Sequence, residues 1–337
     1  MKILVTGVAG FIGFHLTKKL LDNGHTVLGV DNLNKYYEIK LKKDRLNFLK
    51  RYKKRFLFFK GDIARQEFLN KFKKKKFSII INLAAQAGVR YSIKNPYEYA
   101  KSNLVGFVNI IELAKIKKIK HFLYASSSSV YGYSKKKYYK EDDPVDHPMQ
   151  LYAATKRSNE LIAHAYSSLF DLPVTGLRFF TVYGPWGRPD MSIFMFVKNI
   201  LKGKKIQIFN FGNHERSFTY IDDIVEGIIS LIDKIPKKRI IDVKKKLSPA
   251  NSYAPFRILN LGSDKSVKLM TLINKIENLL NIKSKKKFLK IQQGDIKTTK
   301  ANINKIKEIN KNFGKTRINE GLEKFINWFK DYYKIKN

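Results

Sequence analysis

Lys2-Ile3-Leu4-Val5-Thr6-Gly7-Val8-Ala9-Gly10-Phe11-Ile12-Gly13 runs a short apolar strand into a glycine-rich turn, and the turn into the start of a helical pattern. Strand, glycines, helix is the order that dinucleotide binding requires. Glycines let the backbone approach a pyrophosphate, and a helix N-terminus favours negative charge. The spacing is G-x-x-G-x-x-G rather than G-x-G-x-x-G, so the loop alone is also compatible with a simple tight turn. The next apolar run, Thr26–Asp31, ends on an acid followed by Asn32. A carboxylate there accepts both ribose hydroxyls and repels a 2′-phosphate, which favours NAD over NADP. Asp62, in Gly61-Asp62-Ile63, closes the third run where adenine would lie; the competing reading is a strand-end turn.

Working outward, short apolar runs alternate with helical patterns through the first 180 residues. This predicts an α/β fold: a Rossmann-like doubly wound parallel sheet with a smaller C-terminal substrate-binding α/β domain. Strands are expected at 2–6, 26–31, 56–60, 78–83, 121–126 and 174–178, and helices at 14–23, 96–116 and 152–170. Residues 1–180 form the expected NAD-binding domain, rejoined by parts of 218–235 and 258–262. Residues 181–337 supply most of the substrate domain. The Lys- and Pro-rich stretch 234–257 reads as an exposed loop. Residues 318–333 read as an amphipathic helix with Leu322, Phe325, Ile326 and Phe329 on its apolar side.

At 337 residues and 44% hydrophobic content the chain can bury a large core. It has no cysteine, which excludes disulfides, thiol nucleophiles and thiolate metal sites; no metal site is expected. No apolar run approaches the roughly 18 residues that span a bilayer, and the N-terminus reads as a strand rather than a signal peptide. No membrane insertion and a cytoplasmic location follow as expectations. The formal charge of +39 invites a nucleic-acid-binding reading on a Rossmann scaffold without catalysis. Lysines, however, crowd into separate runs at 73–76, 135–137, 244–246 and 285–287, with no stripe interleaved by aromatics. The richness in Asn, Ile, Phe and Tyr matches AT-rich codons. A composition bias on solvated surfaces accounts for the charge, and no specific nucleic-acid partner is expected. A positive surface would still steer anionic substrates inward.

Tyr152-Ala153-Ala154-Thr155-Lys156 places a phenol and an ammonium on one helical face. A free tyrosine titrates near pH 10, and a neighbouring ammonium favours the phenolate. The serine run Ser126-Ser127-Ser128-Ser129 adds hydroxyls that can share the proton. The set can move a proton on and off an alcohol, although Tyr-x-x-x-Lys arises readily by chance in a lysine-rich chain.

Together these stretches resemble the extended short-chain dehydrogenases/reductases, and within them the UDP-sugar 4-epimerases, most of all the UDP-glucuronate 4-epimerases. The resemblance extends over almost the whole chain. It rests on residues 6–13, 82–92, 124–132, 152–156, 216–223, the Gly294-Asp295 pair and above all Arg178-Phe179-Phe180-Thr181-Val182-Tyr183-Gly184-Pro185-Trp186-Gly187-Arg188-Pro189-Asp190-Met191. It implies Tyr152 as general base and acid, and Lys156 as ligand of the nicotinamide ribose that lowers the tyrosine pKa. Ser127 would be the catalytic hydroxyl, with Ser128 and Ser129 beside it. Gly7, Gly10, Phe11, Ile12, Gly13, Asp31, Asn32, Asp62, Ile63, Leu83, Ala84 and Ala85 would border NAD, with Asn103 in support and Phe180 over the nicotinamide. Arg216 would meet the UDP pyrophosphate and Asp295 the uridine diphosphate end.

Related dehydratases carry an Asp-Glu pair after the catalytic hydroxyl, and decarboxylases a glutamate before Val-Tyr-Gly; this chain has Ser128-Ser129-Val130-Tyr131-Gly132. Reversible oxidation at C4 of a UDP-hexuronic acid, with NAD tightly bound and recycled, is the resulting expectation. Its substrate carboxylate needs hydroxyls such as Thr181 and those of the serine run, and an arginine such as Arg188, since guanidinium binds carboxylate bidentately. Arg90 is a second candidate, for pyrophosphate. The alternatives are a UDP-glucose/UDP-galactose 4-epimerase and a catalytically silent NAD sensor. The resemblance also implies a homodimer built on the helices around 96–116 and 152–170.

Overall fold

The computed structural model describes residues 1–134, 136, 138–238, 247–292 and 295–335. The first part of the chain runs β1 (Lys2–Thr6), α1 (Phe11–Asp22), β2 (Thr26–Asp31), α2 (Ile39–Lys50), β3 (Phe56–Lys60), α3 (Gln66–Lys73) and β4 (Ile79–Asn82). Two short helices, α4 (Tyr91–Lys94) and α5 (Pro96–Tyr99), lead through a π-helical turn at Ala100–Val105 into α6 (Gly106–Ile116); β5 (His121–Ser127), α7 (Leu151–Phe170) and β6 (Val174–Phe179) follow. The later part holds β7 (Thr181–Tyr183), α8 (Ser192–Leu201), β8 (Ile206–Phe209), β9 (Glu215–Arg216), β10 (Phe218–Tyr220), α9 (Ile221–Leu231) and β11 (Phe256–Leu261). It ends with β12 (Val267–Lys268), α10 (Leu269–Leu280), β13 (Lys286–Leu289), β14 (Thr298–Thr299), α11 (Asn304–Ile309) and α12 (Ile318–Tyr333).

Seven parallel strands form the central sheet in the order β3-β2-β1-β4-β5-β6-β11. Its strands are apolar on both faces because both faces are covered. Ile3, Val5, Ile81 and Leu123 pack with Phe14 of α1 and Ile224 of α9. Leu4, Ile80, Phe122 and Val174 pack with Phe107 and Ile110 of α6 and Ala163 of α7. The order reverses between β1 and β4, and open α/β sheets place ligands at such a switch point, beyond the carboxyl ends of the strands.

The expected strands are present, with ends shifted by a residue or so. The first helix starts at Phe11 rather than Phe14, directly off extended Gly10. The helix expected at 96–116 runs without a gap, and its Ala100–Val105 stretch is a π-helical turn that carries buried Asn103. The late strand is Phe256–Leu261, paired with β6 from Phe256↔Val174 to Leu261↔Phe179. The stretch expected as an exposed loop is partly corrected: Ala250 and Ala254 are buried, and Asn251 bridges to Ser248 and Arg257. Lys244–Lys246 of that stretch, Lys135, Lys137 and Gly294 lie outside the described residues. Helix α12 matches its expectation, with Leu322, Phe325, Ile326 and Phe329 buried. Among the described residues no helix is long and apolar enough to cross a membrane.

Candidate active site

A cleft of about 390 Å³ opens at the switch point. Its floor is the turn between β1 and α1. Gly7 has φ +76°, and a Cβ there would meet the Ala84 nitrogen at 2.9 Å. A Cβ on Gly13 would lie 2.0 Å from the Gly7 carbonyl oxygen, so only glycine lets α1 sit this close to the turn. Gly10 and the first turn of α1 line the cleft, and a helix N-terminus suits a pyrophosphate. Asp31 ends β2 at the cleft wall, its carboxylate accepting from the amides of Ala9 at 3.0 Å and Leu33 at 2.8 Å. Burial raises its pKa, opposed by these hydrogen bonds and the charges of Lys42 and Arg45. Asp62 accepts from the Ala64 amide at 3.0 Å and also lines the cleft, so the turn and ligand readings coexist in one residue. Phe11, Ile12, Asn32, Ile63, Leu83, Ala84 and Ala85 complete a wall that fits a dinucleotide.

Asn103 does not line the cleft. It accepts from the Gln86 amide at 2.8 Å and donates to the Gln86 carbonyl and Thr155 hydroxyl, both at 3.1 Å. It therefore ties the loop after β4 to α7. Glu160, also on α7, accepts from Ser126 at 2.6 Å and is held bidentately by Arg178 at 2.8 and 2.9 Å. These buried bonds fix the helix that carries Tyr152 to the strand that carries Ser127.

Tyr152, Lys156, Ser127, Ser128 and Ser129 line the cleft together with Phe180, Thr181 and Arg188. The Ser127 hydroxyl shares the cleft lining with Tyr152 and accepts from the Ser129 amide at 3.2 Å. Burial raises the Tyr152 pKa, while the Ser127 hydroxyl and the Arg188 charge oppose the rise. The Lys156 ammonium donates to the Ala125 carbonyl at 2.9 Å, and burial lowers its own pKa to about 8.

Arg188 is engaged by Asp190, Nε to Oδ1 at 3.0 Å and Nη2 to Oδ2 at 2.5 Å, and its side chain is only 21% exposed. Tyr36 donates to the same carboxylate at 2.9 Å, and its ring lies 5.8 Å from the guanidinium carbon. Arg90, Arg216 and Asp295 gather away from the cleft lining. Asp295 pairs with Arg216 at 2.8 Å and Arg90 at 3.9 Å, with the His214 ring, whose pKa burial lowers, 3.4 Å from it, and the Arg90 guanidinium covers the Phe209 ring at 4.9 Å. Val89, which precedes Arg90, lines the cleft, so this basic cluster adjoins its rim.

Sequence reasoning missed Tyr36, Tyr37, Lys42, Gln86 and Met191, all of which line the cleft. Lys42 donates to the Asn34 carbonyl at 2.7 Å, and burial lowers its pKa to about 8 against the pull of Asp31. A signal existed: Lys42 and Arg45 fall among Leu41, Leu46 and Leu49 on the buried face of α2.

A glycine cradle at the switch point, faced by a serine, a tyrosine and a lysine, defines a dinucleotide-dependent enzyme of the short-chain dehydrogenase/reductase type. The comparisons with known proteins agree. The chain belongs to the NAD dependent epimerase/dehydratase family, whose model matches residues 3–243. It is 44% identical to UDP-glucuronate 4-epimerase 4 of Arabidopsis thaliana, over 98% of this chain and 76% of that one. It is 42% identical to a probable UDP-glucuronate 4-epimerase of Rhizobium meliloti, over 99% of this chain and 98% of that one. Among solved structures, UDP-glucuronic acid 4-epimerase from Bacillus cereus, in complex with UDP-glucuronic acid and NAD, superposes with a TM-score of 0.86. That protein is 32% identical, with 99% of this chain and 100% of that one covered.

Proposed function

We propose that this protein interconverts UDP-glucuronate and UDP-galacturonate by reversible NAD-dependent oxidation at C4 of the sugar. One observation carries the choice of reaction. Among the described residues the acids lining the cleft are Asp31 and Asp62, after β2 and β3, and the serine end has none. Elimination of water needs a further acid and base there; removal and return of hydrogen at one carbon does not. Relatives named UDP-glucuronate 4-epimerase support the choice of sugar.

Bound NAD supplies the reversible hydride acceptor. Gly7, Gly10 and Gly13 seat its pyrophosphate, Asp31 its adenosine ribose, and Lys156 the ribose at the reacting end. Tyr152 takes the proton of the 4-hydroxyl as C4 becomes a ketone. It returns that proton once the keto sugar has turned its other face. The Ser127 hydroxyl and the Arg188 charge stabilise the phenolate that this requires. A 4-keto uronic acid loses carbon dioxide readily, so its carboxylate must be held. Arg188, Thr181 and the hydroxyls of Ser128 and Ser129 serve this, with Arg188 turning part of its fork from Asp190 to the substrate. Arg90 and Arg216 receive the UDP pyrophosphate, with Asp295 holding them in place. The sheet-bearing part of the chain thus holds NAD, and the part after residue 180 holds most of the UDP-sugar. A cytoplasmic location is part of the same proposal.

Purified protein incubated with UDP-glucuronate is expected to form UDP-galacturonate. Turnover of UDP-glucose without turnover of UDP-glucuronate would move the assignment to the neutral sugar. Tyr152→Phe is expected to lower kcat by ~10²-fold or more while NAD stays bound; retained turnover would remove Tyr152 from its role.

A further inference from the structure

Arg45 lies on α2 with its side chain fully buried, and its partners are not acids. Nη1 donates to the Ala9 carbonyl at 2.7 Å and the Tyr37 hydroxyl at 2.8 Å. Nη2 donates to the Trp186 carbonyl at 2.5 Å and the Gly187 carbonyl at 3.4 Å. Nε has no partner among the described residues. The Asp31 carboxylate feels the Arg45 charge from a distance but is not hydrogen-bonded to it. An interior cation with no carboxylate in direct contact is costly, so that an apolar side chain of similar volume would fill the space at less electrostatic cost. Packing alone does not account for an arginine here.

What Arg45 joins is informative. Ala9 belongs to the glycine cradle, and its amide is held from the other side by Asp31. Trp186 and Gly187 immediately precede Arg188. Trp186 has φ +59°, a conformation that a bulky residue adopts only under constraint. Its ring is boxed by Phe14, Trp328 and Tyr332 at centroid distances of 5.4, 5.5 and 5.1 Å. Rings hold Trp186 from outside and Arg45 holds its carbonyl from within.

We infer that Arg45 is a positioning residue that locks the cofactor cradle and the Arg188 loop into one arrangement, so that a single buried cation sets both NAD retention and recognition of the uronate carboxylate. The inference rests on the role proposed for Arg188. A guanidinium can span both loops; an ammonium holds one point at a time.

The test uses the full chain as Arg45→Lys, Arg45→Met, Arg188→Ala and the Arg45→Lys/Arg188→Ala double variant. NAD content after gel filtration, KM for UDP-glucuronate and the inhibition constant of UDP, which lacks the carboxylate, are measured. Arg45→Lys is expected to raise KM about tenfold and to shift the UDP constant less than about twofold, while Arg45→Met loses most of its NAD. In the Arg188→Ala background, Arg45→Lys is expected to add less than about twofold, because the two act on one contact. Wild-type NAD content and KM in Arg45→Lys would overturn the inference, as would full additivity with Arg188→Ala. If Arg45→Met fails to fold, Arg45→Lys carries the test. An unchanged KM in Arg188→Ala sinks the reading of Arg188. A raised KM there with an unchanged KM in Arg45→Lys sinks the inference about Arg45.

Discussion

Lys156 keeps its ammonium in the interior, 3% exposed, with the Ala125 carbonyl as partner and burial lowering its pKa from 10.5 to about 8. The sign of the consequence follows from linkage. Below about pH 8 the folded protein carries the full cost of a buried charge. Between about pH 8 and 10.5 the folded side chain is neutral while the unfolded one still holds its proton, so stability contributed at this site rises with pH. In protein stripped of NAD, Lys156→Met is therefore expected to be more stable than wild type at pH 7, by up to about 3 kcal/mol. The difference should narrow above pH 8. Urea midpoints at pH 7 and pH 9.5 check this; a constant difference would show that the ammonium is not penalised. The residues found by reasoning from sequence are those whose chemistry is visible locally: Tyr152 and Lys156 by spacing, Asp31 by its place at a strand end. The roles of Tyr36 and Arg45 were obscured, because they depend on partners distant in sequence, Asp190 and Trp186; for Lys42 and Arg45 the sequence shows only that they share the buried face of α2.

Elements show the same division. The strands of the central sheet are legible because a strand buried on both faces is a bare apolar run bounded by polar residues. The π-helical turn at Ala100–Val105 is not legible, because its cause is the bonding of Asn103 to Gln86 and Thr155 across the fold. The turn between β1 and α1 supplies a sharp test. A methyl on Gly13 would be driven into the Gly7 carbonyl, whereas one on Gly24 (φ +81°) would meet nothing within 4 Å. Gly13→Ala is expected to lose NAD on gel filtration and about 1–3 kcal/mol of stability. Gly24→Ala should lose only about 1 kcal/mol from its backbone conformation and keep its NAD. Equal NAD retention in the two variants would mean that the close approach of α1 does not shape the cradle.

At the scale of the molecule, α6 and α7 present Val108, Leu161, Leu169 and Phe170 to solvent, with Leu169 74% exposed. We propose that a second copy covers this face, pairing α6 and α7 across a twofold axis and bracing the helix of Tyr152. Leu161→Arg is expected to shift wild-type dimers to monomers in sedimentation velocity; a wild type already monomeric at micromolar concentration would remove the proposal. The parallel α/β architecture was readable from the alternation of runs, as was the return of a late strand to the sheet. The burial of Ala250 and Ala254 ahead of that strand was not, because the lysines and prolines around them read as solvent-facing. The late strand also carries a consequence for synthesis. Until Phe256–Leu261 pairs with it, β6 is an apolar edge with an unsatisfied row of backbone groups. A ribosome adding 5–20 residues per second needs several seconds to travel the roughly eighty residues between the two strands. Through that interval the nascent chain holds most of its cofactor cradle with one flank of its sheet open. Chaperone capture and aggregation during translation are therefore expected to concentrate on Val174–Phe179, and a chain released before Leu261 should not become soluble enzyme.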